Sequence, residues 1–206
     1  MKIFKCLVPA LAGMAIVSSC GEDKSAEAVS ADNTAEIVVD NIMTRTSVRR
    51  FTSEPVGRDT LDVLVKAGMA APTAVNKQPW AFVVVTERAV FDSLMNVHPW
   101  SNLQTASAAI VVCGDMQKAL DGFAREYWVQ DCSAATENIL LAAHAYGLGA
   151  VWCGVYPNPD VLPGVKRILG LPDAVTPLNI ITLGHPAQNV EPKDKWVPEN
   201  VHYQRW

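Results

Sequence analysis

Charge is scarce in this chain. Only 18% of its 206 residues are charged, with 17 Lys and Arg against 21 Asp and Glu, a formal net of −4. Nucleic-acid binding needs clustered positive charge, so that class of partner is excluded. Low charge combined with 50% hydrophobic residues also excludes a disordered chain and points to one domain with a proper core. Five cysteines are present but no C-x-x-C pair, which argues against a disulfide framework. The histidines at 98, 144, 185 and 202 are scattered, with no H-E-x-x-H, and offer no metal-ligand spacing. Gly147-Leu148-Gly149 lacks the third glycine and the preceding strand of a dinucleotide fingerprint, and reads as a helix cap. No segment repeats with a period of twenty to fifty residues, so a solenoid is excluded. The apolar N-terminal stretch 6–17, broken by Pro9 and Gly13, is shorter than the about 20 residues that span a bilayer.

That stretch follows Lys2 and Lys5 and reads as a secretory signal. It ends in Val17-Ser18-Ser19-Cys20-Gly21, which resembles a bacterial lipobox: an aliphatic residue, two small ones, then the cysteine that receives the lipid. The expected division is a lipoprotein signal peptide over 1–19, a flexible tether over 20–35, and a folded domain over 36–206. Lipidation falls on Cys20, and the protein is expected to be exported and held at the periplasmic face or cell surface by its lipid alone. Cleavage removes Lys2 and Lys5 and no acid, taking the net charge from −4 to −6. The tether is polar and small, with too little apolar surface to fold. Gly21-Glu22-Asp23 is a weak candidate sorting signal towards the surface.

The pattern along the domain alternates. Helices are expected over 35–43, 60–69 (capped by Asp59), 87–97, 127–145 (closed by Gly147) and 160–169 (followed by Gly170). Strands are expected over 81–86, 108–113, 150–155 and 178–183, each a nearly continuous apolar run. Such strands are buried on both faces, so helices must cover the sheet on each side, giving a three-layer α+β sandwich. Cys113, Cys132 and Cys153 lie in apolar runs and are expected as buried thiols; Trp100 and Trp128 are expected to pack. Tyr203 and Trp206 end a polar tail and need something to pack on.

Two segments carry chemistry. Residues 45–51, RTSVRRF, gather three guanidinium groups and two hydroxyls, a donor array suited to phosphate because each arginine fork presents parallel N–H groups to two oxygens. Alone, it reads at least as readily as a solvated basic loop. Residues 70–80, AAPTAVNKQPW, place small residues and amides between two prolines, where backbone can approach a flat ligand; alone, a plain connection is an equal reading.

Together, R-x-S-x-R followed by A-P-T-x-x-N-x-Q-P-W resembles the nitroreductase family. The resemblance continues through AIVVCGD (109–115), DCSAATENILL (131–141), AHAYGLGAVWCG (143–154), LGLP (169–172), ITLGHP (181–186) and HYQRW (202–206). It implies a mixed central sheet covered by helices and an intertwined homodimer with FMN at each subunit interface. Arg45, Thr46, Ser47 and Arg49 match positions that hold the phosphate and ribityl chain. Pro72, Thr73, Ala74 and Asn76 match the loop laid along the flavin by the partner subunit, with Gln78 supporting it. Trp152, Cys153 and Gly154 match the strand end that faces the flavin ring. Lys193, Lys195 and Arg205 match basic residues closing on the phosphate from the C-terminal side, where the family often has arginine.

The implied activity is two-electron, ping-pong hydride transfer to a nitroaromatic or quinone-type acceptor. The donor is NAD(P)H or, for an exported protein, an unknown periplasmic reductant. No catalytic side chain is expected, since the chemistry occurs at the flavin. The alternatives are specialised flavin chemistry, as in reductive dehalogenation or flavin fragmentation, and a non-catalytic flavin- or ligand-binding lipoprotein. The short span 100–108 leaves little room for the lid that specialised chemistry would need.

Overall fold

The computed structural model describes residues 31–206; the signal, Cys20 and most of the tether lie outside the described residues. Among the described residues five α-helices and four strands follow in the order α1 (Ala31–Thr44), α2 (Arg58–Met69), β1 (Trp80–Val85), α3 (Arg88–Val97), β2 (Ala108–Asp115), α4 (Tyr127–Ala145), β3 (Gly149–Gly154), α5 (Leu162–Leu169) and β4 (Val175–Gly184). Helix α1 starts within the segment assigned to the tether. Its Ala31, Ala35 and Glu36 favour helix despite the polar composition. Helix α2 starts one residue ahead of Asp59, so Gly57 occupies the cap and Asp59 sits in the first turn.

The sheet runs β1-β2-β4-β3. Its strand pairs are all antiparallel, where a mixed sheet was expected. Apolar runs report burial on both faces but not strand direction, so the pattern was silent on this point. The parallel element among the described residues is the single bridge Ser47–Ala150.

Side-chain alternation divides the core in two. Ala108, Ile110 and Val112 of β2 face one layer with Leu61 and Leu64 of α2 and Trp128, Cys132, Ala135 and Ile139 of α4. Ala109, Val111 and Cys113 face the other, with Phe91 and Leu94 of α3 and Val165 of α5. Each fully buried aliphatic or aromatic side chain contributes about 1.5–3 kcal/mol relative to exposure. Asn179 interrupts the apolar run of β4; its amide donates to Thr136 Oγ1 of α4 at 2.9 Å, and Thr136 in turn donates to the Cys132 carbonyl at 2.8 Å. Gly147, at φ 70°, ends α4 in the left-handed conformation, and Leu148 N–H returns to the Ala143 carbonyl at 2.9 Å.

Helix α1 lies on the C-terminal half of α4. Asn41 donates to the Leu141 carbonyl at 3.1 Å, and Thr44 Oγ1 meets His144 Nε2 at 2.9 Å. Ile37, Val38, Val39, Ile42 and Met43 stay at least half exposed. A groove of about 570 Å³ opens between α1 and α4, lined in part by Ile37, Val38, Ile42 and Leu141. Among the described residues, no helix is long and apolar enough to cross a membrane.

Candidate functional site

The arginine segment lies along the edge of the sheet, held by two isolated bridges rather than by a strand. Ser47 bridges Ala150 in parallel, Val48 N–H donates to the Ala150 carbonyl at 3.1 Å, and Phe51 bridges Pro186. Buried Val48 and Phe51 anchor the segment, while Arg49 and Arg50 point to solvent. Its close approach to β3 requires glycine at 149, since a Cβ there would stand 2.7 Å from the Val48 side chain.

The same contact orients β3. Ala150 turns its carbonyl to the outer edge, so strand alternation turns the N–H and C=O of Trp152 and Gly154 the same way. The arginine segment covers that edge only as far as Ala150 and leaves the end of β3, with exposed Trp152 and Gly154, open. Arg45 Nε lies 3.5 Å from the Glu137 carboxylate of α4. Arg49 is close enough for its charge to oppose the burial that raises the Cys153 thiol.

Beneath β3 lies a buried polar cluster that sequence reasoning missed. The Ser101 carbonyl accepts from Thr182 Oγ1 at 2.6 Å and from the Cys153 thiol at 3.2 Å, and Asn102 Nδ2 lies 3.4 Å from that sulfur. His98 is buried with no well-formed hydrogen bond at its ring nitrogens. Burial lowers its pKa, and the nearby Gly154 carbonyl opposes that shift. Trp128 packs in the core as expected, whereas Trp100 is 70% exposed.

The second expected segment forms a separate loop ahead of β1. Val75, Asn76 and Gln78 adopt φ of 52°, 54° and 49°, unusual for residues with side chains. Thr73 Oγ1 accepts the Gln78 N–H at 3.1 Å, and Gln78 Nε2 donates to Asn76 Oδ1 at 3.0 Å. Ala74 N–H donates to Asp131 Oδ1 of α4 at 2.8 Å. Pro72, Thr73 and Ala74 line a shallow pocket of about 330 Å³ with Tyr127 and Gln130. In the tail, Lys193, Lys195 and Arg205 are exposed, as are Trp196, Tyr203 and Trp206.

Within one chain the structure therefore docks Ser47 and Val48 on Ala150 and brings the charge of Arg49 near Cys153, while Arg45 pairs with Glu137 and Thr46 lines a pocket with Gly147, Leu148 and Gly149. Among the described residues, no hydrogen bond or ion pair joins the arginine segment or the end of β3 to the 72–78 loop or to the tail cations. Asp131 and Glu137 were also missed as individual residues. The available signal for Asp131 was an acid on a core-facing helical stripe, three residues after Trp128 and four before Ala135.

The model of the nitroreductase family matches residues 42–97 and 93–185, which take in the arginine segment, the 72–78 loop and β3. The chain belongs to the nitroreductase family. A relative from Methanothermobacter thermautotrophicus, provisionally named NADH dehydrogenase/NAD(P)H nitroreductase, is 41% identical over 82% of this chain and 87% of its own. A solved structure with the same provisional name, from Parabacteroides distasonis, is 42% identical with a TM-score of 0.78, covering 82% of this chain and 99% of that one. A nitroreductase structure from Desulfovibrio desulfuricans, in complex with FMN, is 28% identical with a TM-score of 0.70, covering 82% of this chain and 97% of that one. The family match ends at residue 185, so Lys193, Lys195 and Arg205 lie beyond it.

Proposed function

We propose that this nitroreductase-family protein is an FMN-dependent oxidoreductase that reduces small organic acceptors of nitroaromatic or quinone type. The observation that carries the reading is the docking of the arginine segment on the open edge of β3. The reading is supported by a segment rich in guanidinium and hydroxyl donors suited to a phosphate, docked on a strand whose outward backbone groups suit the polar edge of a flat ring. The donor set fits FMN in charge as well, since clustered arginines offset a phosphate's charge in an acidic protein.

Arg45, Arg49, Thr46 and Ser47 would hold the phosphate and ribityl chain, and the end of β3 at Trp152, Cys153 and Gly154 would face the ring. Bound FMN supplies two-electron hydride transfer, taking electrons from a donor and passing them to an acceptor. The chain's part is to bind, orient and exclude water. Glu137 steers Arg45, and the cluster around Cys153 fixes β3 from below.

The 72–78 loop and the tail stand apart from this half-site within one chain, and α1 and the tail expose apolar surface. Both features support a homodimer in which Pro72, Thr73, Ala74, Asn76 and Gln78 of one protomer, with Lys193, Lys195 and Arg205, complete the site of the other. The names of the relatives support NAD(P)H as donor. The lipobox supports a lipid on Cys20 and a position outside the cytoplasm, where another reductant would replace NAD(P)H. Cell fractionation separates the two: a membrane fraction released by lipase supports the anchor, and a cytosolic enzyme that rapidly oxidises NADPH removes it.

The cofactor is tested by absorbance after FMN is added to purified protein and the excess removed. Retained flavin bands are expected. Arg45→Ala with Arg49→Ala should weaken binding about tenfold to a hundredfold per guanidinium lost. A folded protein that never retains flavin would sink the reading.

A further inference from the structure

We propose that Asp131 is a positioning residue that sets the shape of the 72–78 loop and, through it, the affinity for flavin. The inference rests on the FMN reading above. Asp131 sits on the core-facing stripe of α4, between Trp128 and Ala135, and is only 6% exposed. A carboxyl group in such a place is costly unless it is hydrogen-bonded or paired, and an apolar residue of similar volume would serve packing better. Among the described residues it takes part in no ion pair; its Oδ1 accepts the Ala74 N–H at 2.8 Å.

The loop it grips cannot fix itself. Val75, Asn76 and Gln78 hold left-handed φ values; Asn tolerates them, but Val75 is β-branched and 81% exposed, so neither its local preference nor burial favours that shape. The bonds from Gln78 to Thr73 and Asn76 are internal to the loop. They curl it but do not orient it on the body of the protein. At its far end, Asp115 N–H of β2 ties down the Pro79 carbonyl. At its near end the tie is Asp131, reached from a sequence separation of 57 residues. Removing that tie leaves the loop held at one end and free to relax its left-handed residues.

The test compares Asp131→Ala with Asp131→Asn in purified protein, by hydrogen exchange without FMN and by FMN affinity from fluorescence quenching. In Asp131→Ala, exchange in 72–78 should quicken at least about tenfold while β2 and β4 keep their protection, and FMN should bind about tenfold to a hundredfold more weakly. Asp131→Asn keeps an oxygen able to accept the Ala74 N–H and should stay within about threefold of the parent on both readouts. Unchanged loop exchange in Asp131→Ala overturns the proposal. So does a loss of protection spread equally over β2 and β4, or an Asp131→Asn as impaired as the alanine. If the parent protein binds no FMN, the flavin reading fails, and the loop exchange still decides whether Asp131 holds the loop.

Discussion

Cys113 and Cys132 pack on opposite faces of the sheet, each fully buried, and burial pushes both thiols up to about 12. Cys153 moves the same way for the same first cause. A thiol raised on folding adds stability below the ordinary range near 9, and that stability is lost as pH rises towards about 12. The thiolate is also the reactive form. At pH 8 the folded protein should therefore leave all three thiols unmodified by an aromatic disulfide reagent, with peptide mapping finding them labelled only after denaturation. Fast labelling of Cys153 in the native state would show that the end of β3 opens. His98 runs the opposite way. Burial favours its neutral form, so its contribution is present above about 6.5 and lost as pH falls through its lowered value. The pair Arg45–Glu137 sits at the surface, where such contacts contribute about 0–1 kcal/mol. Its use is to aim the guanidinium rather than to hold the fold.

Helix α4 and strand β3 organise the site, and they differ in how openly the sequence announced them. The bounds of α4 were legible because Gly147 supplies the left-handed stop. The start of α5 was misplaced by two residues, because Asn158 Oδ1 accepts the Asp160 N–H and holds a turn first. The four strands were legible from their apolar runs, their direction was not, and the left-handed loop was not legible because Val75 and Gln78, unlike Asn76, have no preference for that region. The arginine segment was legible by its chemistry, though its docking depends on a distant neighbour. Gly149 leaves the space that Val48 fills. Gly149→Ala should cost about 1–3 kcal/mol by overpacking and weaken FMN retention, and Val48→Ala in the same chain should restore part of both. Urea unfolding and flavin absorbance measure the two effects; an alanine without consequence would mean that the segment moves freely off β3.

On the scale of the whole molecule, the exposed apolar row of α1 and the aromatic tail leave surface that a lone chain would have to show to water. Ile42→Asp places a charge on that row at a half-exposed position. Sedimentation should show it as a single chain with weakened FMN binding; a dimer that keeps its flavin would move the interface elsewhere. The role of the tail cations Lys193, Lys195 and Arg205 rests on the resemblance, and one chain leaves them exposed beyond the end of the family match. The order β1-β2-β4-β3 has a different consequence, for the timing of folding. Among the strands of the described residues β3 pairs only with β4, and β2 lacks its second neighbour until β4 arrives, so the centre of the sheet cannot close before Gly184 has been made. For the export proposed above, a chain passing outward from its N-terminus would carry no finished sheet until β4 has been made.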